Sequence, residues 1–124
     1  MIKLIFCLNR KQGISRQEFD RRWRDVHGPL VRKYAGALRI KRYVQCATLD
    51  DLCPQEQIRA SRNAEPTSYD GVAEIWWDSL EDLASAHLTP EGSEAGRVLL
   101  EDEAQFIDLA SCRLWYCTER VVIP

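Results

Sequence analysis

The chain has 124 residues, with 17 Lys and Arg against 19 Asp and Glu and a net charge of −2 at neutral pH. At this length folding buries roughly two-thirds of the unfolded chain's surface, so residues 1–124 are expected to form a single domain around one core. The cations are interleaved with acids, which excludes the contiguous basic surface a nucleic acid or an anionic membrane requires, and with no apolar run of membrane-spanning length and no leader-like N-terminus the expectation is a soluble, cytoplasmic protein.

Residues 2–9 read as a β-strand with apolar side chains on both parities, Ile2, Leu4, Phe6 and Leu8 on one and Ile5 and Cys7 on the other, so both faces of its sheet need cover. A polar turn from Asn9 to Gly13 leads into a helix. Ser15 and Glu18 stand three apart as a capping box, flanked by Ile14 and Phe19 as a hydrophobic staple. Phe19, Trp23, Val26, His27 and Leu30 follow at i, i+4, i+7, i+8 and i+11, an apolar stripe that carries His27 toward the core. Arginines and acids fill the opposite side, Asp20 and Arg24 forming an i, i+4 pair. Pro29 lacks an N–H and disfavours helical geometry at Gly28, so the helix must stop, kink or restart beside His27 before ending near Gly36.

A second strand is expected from about Leu38 to Ala47, with Leu38, Ile40, Val44 and Cys46 on one face and Arg39, Lys41, Tyr43 and Gln45 on the other. Residues 48–68 have little periodicity, carry Pro54 and Pro66, and read as a long loop insertion between strands 2 and 3, with room for a short helix from Pro54 to Ala60. Tyr69 to Trp77 is the third strand, in which Ala73, Ile75 and Trp77 oppose Val72, Glu74 and Trp76. Ser79 and Asp82 cap a second helix whose stripe, Leu80, Leu83, Ala84, His87 and Leu88, places His87 toward the core as well. Thr89 and Pro90 start a further helix through Ala95, Val98, Leu99 and Phe106, and residues 111–122 form the last strand, apolar or aromatic on both faces. This βαββαβ order predicts an α+β, ferredoxin-like domain, a four-stranded antiparallel sheet with the helices on one face. The other apolar face then needs its own partner, most simply the same sheet of a second subunit, so a homodimer is expected.

Few residues offer chemistry. His27 is the acid/base candidate, the simpler alternative being a hydrogen-bonded core histidine. Glu74 falls in a central strand, where a carboxylate is costly unless paired or protonated; it is either bridged to Arg39, Lys41 or Arg113 or an acid whose pKa burial has raised. Tyr43, Gln45, Trp76 and Trp77, with Trp115 and His87, are candidates for the wall of a flat, partly aromatic ligand pocket, against the alternative that the tryptophans are core or dimer packing. The two helices run antiparallel in this topology and carry His27 and His87 toward opposite ends of the sheet. No third ligand stands at a recognisable spacing, so no metal is expected. No nucleotide or haem-attachment motif occurs, so no organic cofactor is expected either. The five cysteines, an odd count without C-x-x-C spacing, read as reduced thiols. Cys7, Cys46, Cys112 and Cys117 are expected in strands as small hydrophobes, and Cys53, in the polar segment, is the one expected to be exposed.

Several stretches resemble the EthD family in order over nearly the whole chain. They are the opening strand, G-I-S-R-Q-E-F-D-R-R-W from Gly13 to Trp23, H-G-P-L at His27 to Leu30, R-Y-V-Q at Arg42 to Gln45, Y-D-G-V-A-E-I-W at Tyr69 to Trp76, and F-I-D at Phe106 to Asp108. The resemblance implies a dimeric α+β barrel. It also implies cofactor-independent proton or oxygen chemistry, of lyase, isomerase or monooxygenase type, on a small aromatic or polyketide-like molecule in an apolar pocket. Within it the H-G-P-L histidine, His27, is implied as the acid/base, and Glu74 and Tyr43 as further transfers. Haem-degrading members of the wider superfamily use an Asn, Trp and His set; Asn9 fits, but the second helix offers no matching Trp. The reading therefore leans to an enzyme. The alternative from a different class is a non-catalytic ligand-binding accessory protein of a degradation pathway.

Overall fold

Strand β1 (Ile2–Leu8), apolar on both parities, takes a central place in the sheet and pairs antiparallel with β3 (Gly71–Trp77) on one side and β4 (Arg113–Thr118) on the other. Strand β2 (Arg42–Ala47) adds to the free edge of β3, giving the order β2-β3-β1-β4, antiparallel throughout. The computed structural model describes residues 1–50, 53–66 and 68–124. Residues paired across antiparallel strands point the same way. The register therefore puts Lys3, Ile5, Val44, Glu74, Trp76 and Trp115 on one face and Leu4, Phe6, Leu8, Tyr43, Gln45, Ala73 and Trp77 on the other.

The second of these faces carries the core. Helix α1 (Arg16–Arg22), capped by the Ser15 hydroxyl on the Glu18 N–H at 3.1 Å, is followed by a turn over Trp23–His27 and by α2 (Gly28–Tyr34). After β2 and β3 come α4 (Leu80–Ala86), capped by Ser79, and α5 (Pro90–Phe106), capped by Thr89; α3 (Cys53–Ser61) lies between β2 and β3. Phe19, Trp23 and Phe106 pack with Leu8 and Ala73, Val31 with Leu38, Ala95 and Leu99, and Leu83 with Leu4 and Trp77. The ferredoxin-like fold is the expected one. No helix among the described residues is long and apolar enough to cross a membrane.

Two strand boundaries differ most from expectation. Strand β2 begins at Arg42, because Arg39 takes a left-handed φ of 57° in the turn after α2 and Leu38 is buried in that turn, its carbonyl accepting from Trp77 Nε1 at 2.8 Å. The segment expected as a loop with a short helix does contain α3, none of whose described residues is buried; Asp51, Leu52 and Thr67 of that segment lie outside the described residues. Strand β4 ends at Thr118, leaving Val121, Val122 and Ile123 exposed.

His87 corrects the second-helix stripe. Helix α4 is only seven residues long, and its buried positions are Leu83 and Ala86. The chain turns immediately after Ala86 because Gly92 sits against the Ala86 carbonyl, where a Cβ would come within 1.7 Å of the oxygen. His87 and Leu88 fall in that turn and are exposed.

Candidate functional site

The helix restarts at Pro29 without a break because the turn before it widens. Pro29 cannot donate to the Asp25 carbonyl, and its ring would clash with that group in an α-helix. Instead the Gly28 N–H bonds to the Trp23 carbonyl, five residues back, and Trp23–His27 form a π turn. One extra residue per turn keeps the buried positions in steps of four, Phe19, Trp23, His27 and Val31, and rotates Val26 out to 42% exposure against expectation. The Trp23 carbonyl also accepts from Gln45 Nε2 at 2.8 Å, and the same amide reaches the Tyr43 hydroxyl at 3.2 Å. Gly28 leaves room for that amide, and Gly71 for the Trp23 indole, whose ring a Cβ at 71 would approach to 2.6 Å.

His27, 5% exposed, meets helix α5. Its Nδ1 lies 2.8 Å from Asp102 Oδ2, and Asp102 Oδ1 accepts from Arg22 Nη2 at 2.7 Å. An ionised carboxylate only accepts, so Nδ1 carries the imidazole proton and Nε2 is left as the acceptor. Nε2 faces Glu103 Oε2 at 3.9 Å. Burial outweighs the pull of Asp102 and lowers the His27 pKa below its ordinary value. Burial opposes the charge on Asp102 too, but there the hydrogen bonds from Arg22 and His27 win and hold the carboxyl below its usual range. Glu103 has no such donors among the described residues; burial, with the neighbouring Asp102 charge, pushes it up to about 7.

Asp102 and Glu103 escaped the sequence reading. They lie seven and eight residues after Ala95 and three and four after Leu99, on the side of α5 that Phe106 also occupies. Acids at core-facing positions of an amphipathic helix were the available signal.

His27, Glu103, Trp23, Tyr43 and Phe6 line a cavity of about 50 Å³ between the helices and the sheet. Beside it, between α2 and the edge strand β2, runs a groove of about 420 Å³. Val31, Ile40 and Tyr43 belong to the walls of both. Of the expected site residues the structure thus brings together His27 and Tyr43 at the cavity and Gln45 at the groove. It separates the others. Trp77 is buried against Leu4 and Leu83, while Trp76, Trp115 and Glu74 occupy the opposite sheet face and cannot wall the same pocket. His87 is exposed beside Gly96.

Glu74 is paired, though with none of the expected arginines or Lys41: Lys3 Nζ lies 3.0 Å from its Oε1, and Cys46 Sγ 3.8 Å from Oε2. Lys3 and Arg42 stack on the two-ring system of Trp76 at 4.9 and 4.7 Å from the centroid, and Trp76 Nε1 donates to Glu119 at 2.6 Å. Asn9 donates to the Ser111 hydroxyl at 3.1 Å.

The chain matches the EthD domain over residues 11–110. Among solved structures it is similar to an ethyl tert-butyl ether D (EthD) family protein of Bacillus halodurans, with 22% identity, a TM-score of 0.64, and coverage of 97% of this chain and 99% of that one. An EthD-like protein of Ralstonia eutropha aligns at 19% identity and TM-score 0.58, over 98% of this chain and 92% of that one. A dimeric ferredoxin-like protein of Thermobifida fusca aligns at 13% identity and TM-score 0.58, over 95% and 90%. No curated protein matches the sequence.

Proposed function

The chain belongs to the EthD family, and from that premise we propose that it is an enzyme in which His27 and Glu103 move protons on a small organic molecule without a cofactor. The observation that carries this reading is the line Arg22, Asp102, His27, Glu103, each within 3.9 Å of the next, ending at a cavity. Asp102 fixes the tautomer, so Nε2 of a neutral His27 accepts a proton from a carbon next to a carbonyl. Glu103, about half protonated near neutral pH, supplies or recovers a proton at the oxygen where charge collects. Such a pair suits isomerase- or lyase-type proton transfer. The 50 Å³ cavity admits only the reacting end of a substrate, so the rest of the molecule occupies the groove that shares Tyr43, Val31 and Ile40.

Solvent deuterium exchange into a panel of aryl β-ketones and hydroxylated aromatics tests it. Wild-type protein should label at least one of them, and His27→Gln, which keeps hydrogen bonding and volume, should lower the rate by about 10²-fold or more while remaining folded. An unchanged rate with a lowered melting temperature would make His27 a core histidine. Ligand binding with no exchange by the wild type would instead support the accessory-protein reading.

The same family premise supports a homodimer through the open sheet face, where Ile5, Val44 and Val72 are partly buried and Trp115 is 51% exposed. The Thermobifida fusca protein of the same fold is dimeric. Light scattering at micromolar concentration should give twice the chain mass, and Trp115→Glu should return it to one.

A further inference from the structure

The groove beside the His27 cavity has an electrostatic character at odds with the rest of the molecule. Ten residues line it; Arg24, Arg32, Lys41 and Arg42 are cationic and none is acidic, in a chain whose net charge is −2. The remaining wall is apolar, with the Tyr43 hydroxyl and the Gln45 amide as its polar groups. Three of the cations are already engaged. Arg24 is bridged to Asp20 and Asp25, Lys41 to Asp78 at 3.5 Å, and Arg42 stacks on Trp76. Arg32, exposed on α2, has no ion-pair partner among the described residues.

We propose that the groove is the binding site for an organic acid, a planar apolar body bearing one carboxylate, which Arg32 clamps at the mouth while the far end of the molecule reaches the His27 cavity. This deepens the function proposed above and rests on it for the second half. With Arg24 and Lys41 held by acids and Arg42 drawn onto Trp76 across the sheet, Arg32 is the lining cation left to attract an anion, and with no acid in the lining it repels a cationic ligand. A single unengaged guanidinium balances a single carboxylate, which it can hold by two parallel hydrogen bonds. A doubly charged phosphate would need a second cation released from its present partner. The volume of about 420 Å³ lies within the range of small-molecule sites. Its apolar stripe of Val31, Ala35, Ile40 and Tyr43 suits the body of an aromatic acid and leads to the walls the cavity shares.

The test is an NMR and calorimetric titration of the full chain with 2-naphthoate, 2-naphthamide, 2-naphthyl phosphate and inorganic phosphate. With only two histidines in the chain, the side-chain nitrogens of His27 report the cavity and those of exposed His87 serve as the reference. The naphthoate should bind and shift the His27 signals, the amide should bind roughly tenfold to a hundredfold more weakly, and Arg32→Gln should cost a similar factor. Arg113→Gln, which removes the same charge from the far edge strand, should leave the affinity unchanged. Equal binding of acid and amide, indifference to Arg32→Gln, or tighter binding of either phosphate overturns the proposal. Binding that moves only His87, or neither histidine, overturns the link to the cavity. Naphthoate binding that survives in His27→Gln, in a protein whose exchange activity proves independent of His27, leaves the acid site standing and removes only the catalytic role.

Discussion

The two faces of the sheet handle charge in opposite ways. On the helix side His27, Asp102 and Glu103 lie among Trp23, Phe106 and Leu99, and among the described residues Asp102 alone of these has both carboxylate oxygens hydrogen-bonded. On the open side Glu74, Glu119, Lys3 and Arg42 surround Trp76, and every acid has a cation or an N–H donor. A cluster that neutralises itself is built for packing and register. A cluster that leaves one carboxyl near pKa 7 and one imidazole nitrogen unbonded keeps proton affinity in reserve, which is the arrangement proton transfer needs.

The largest expected difference between the faces is in turnover. His27→Gln should lower the proton-exchange rate by about 10²-fold or more, whereas Glu74→Gln should leave it within about threefold. Steady-state exchange on both variants decides it. A reversed pattern would move the chemistry to the open face and restore Glu74 as the acid.

Next in size is the effect of Glu103 on stability against pH. Its pKa in the folded chain, about 7, lies above the ordinary carboxylate value, so the folded state holds a proton that the unfolded state has released. Its contribution is therefore fully present below about pH 4.5 and is lost as pH rises through 7. His27, with its pKa lowered by burial, acts in the other direction and costs stability as pH falls below about 6.5. Glu103→Gln is neutral at every pH. Urea unfolding should show it gaining on the wild type by a few kcal/mol between pH 5 and 8, with no further gain above. A constant difference across that range would mean that Glu103 is ordinarily ionised and no acid at neutral pH.

Gly71→Ala should cost about 1–3 kcal/mol by overpacking. The new Cβ would meet the Trp23 ring at 2.6 Å and the Cys46 carbonyl at 2.9 Å, and neither can yield: the indole is 1% exposed and the carbonyl is backbone. Because the Trp23 carbonyl anchors the π turn and Gln45, the same variant should disturb the His27 signals in an NMR spectrum. Loss of stability without that disturbance would show that the turn is held by Pro29 and Gly28 alone.

These sites differ in how far they could be read from the residues. The N-caps Ser15 and Ser79, the order of the elements and the i+4 step from Trp23 to His27 follow from local spacing, and all of them are present in the structure. Val26 was misplaced because a period of 3.6 does not foresee a π turn, although Pro29 announced a deformation. Placing Trp76 and Trp77 in one pocket contradicted the period of two, since neighbouring strand residues point to opposite faces. Asp102 and Glu103 were passed over because acids on a helix ordinarily mark its solvent side. Only the tertiary packing of α5 on the π turn makes them internal. The length of α4, and with it the fate of His87, depended on the contact between Gly92 and Ala86, which joins two helices and is invisible in either alone.

The smallest expected effect concerns the open face itself. Lys3 and Glu74 are 3.0 Å apart with side chains 16% and 25% exposed, and Lys3 also reaches Glu119 at 3.5 Å. Burial works against the lysine's charge, but the two carboxylates outweigh it and raise its pKa. In a monomer this pair borders water, and a double-mutant cycle with Lys3→Met and Glu74→Gln should return a coupling of about 1 kcal/mol or less. Covering the face with a second sheet removes the water on one side and strengthens the attraction, while making either single substitution leave a buried charge without its partner. The coupling should therefore grow as protein concentration rises through the dimer's dissociation constant, and so should its resistance to added salt. A coupling that is the same at every concentration, in a protein that light scattering finds dimeric, would place the subunit contact somewhere other than this face.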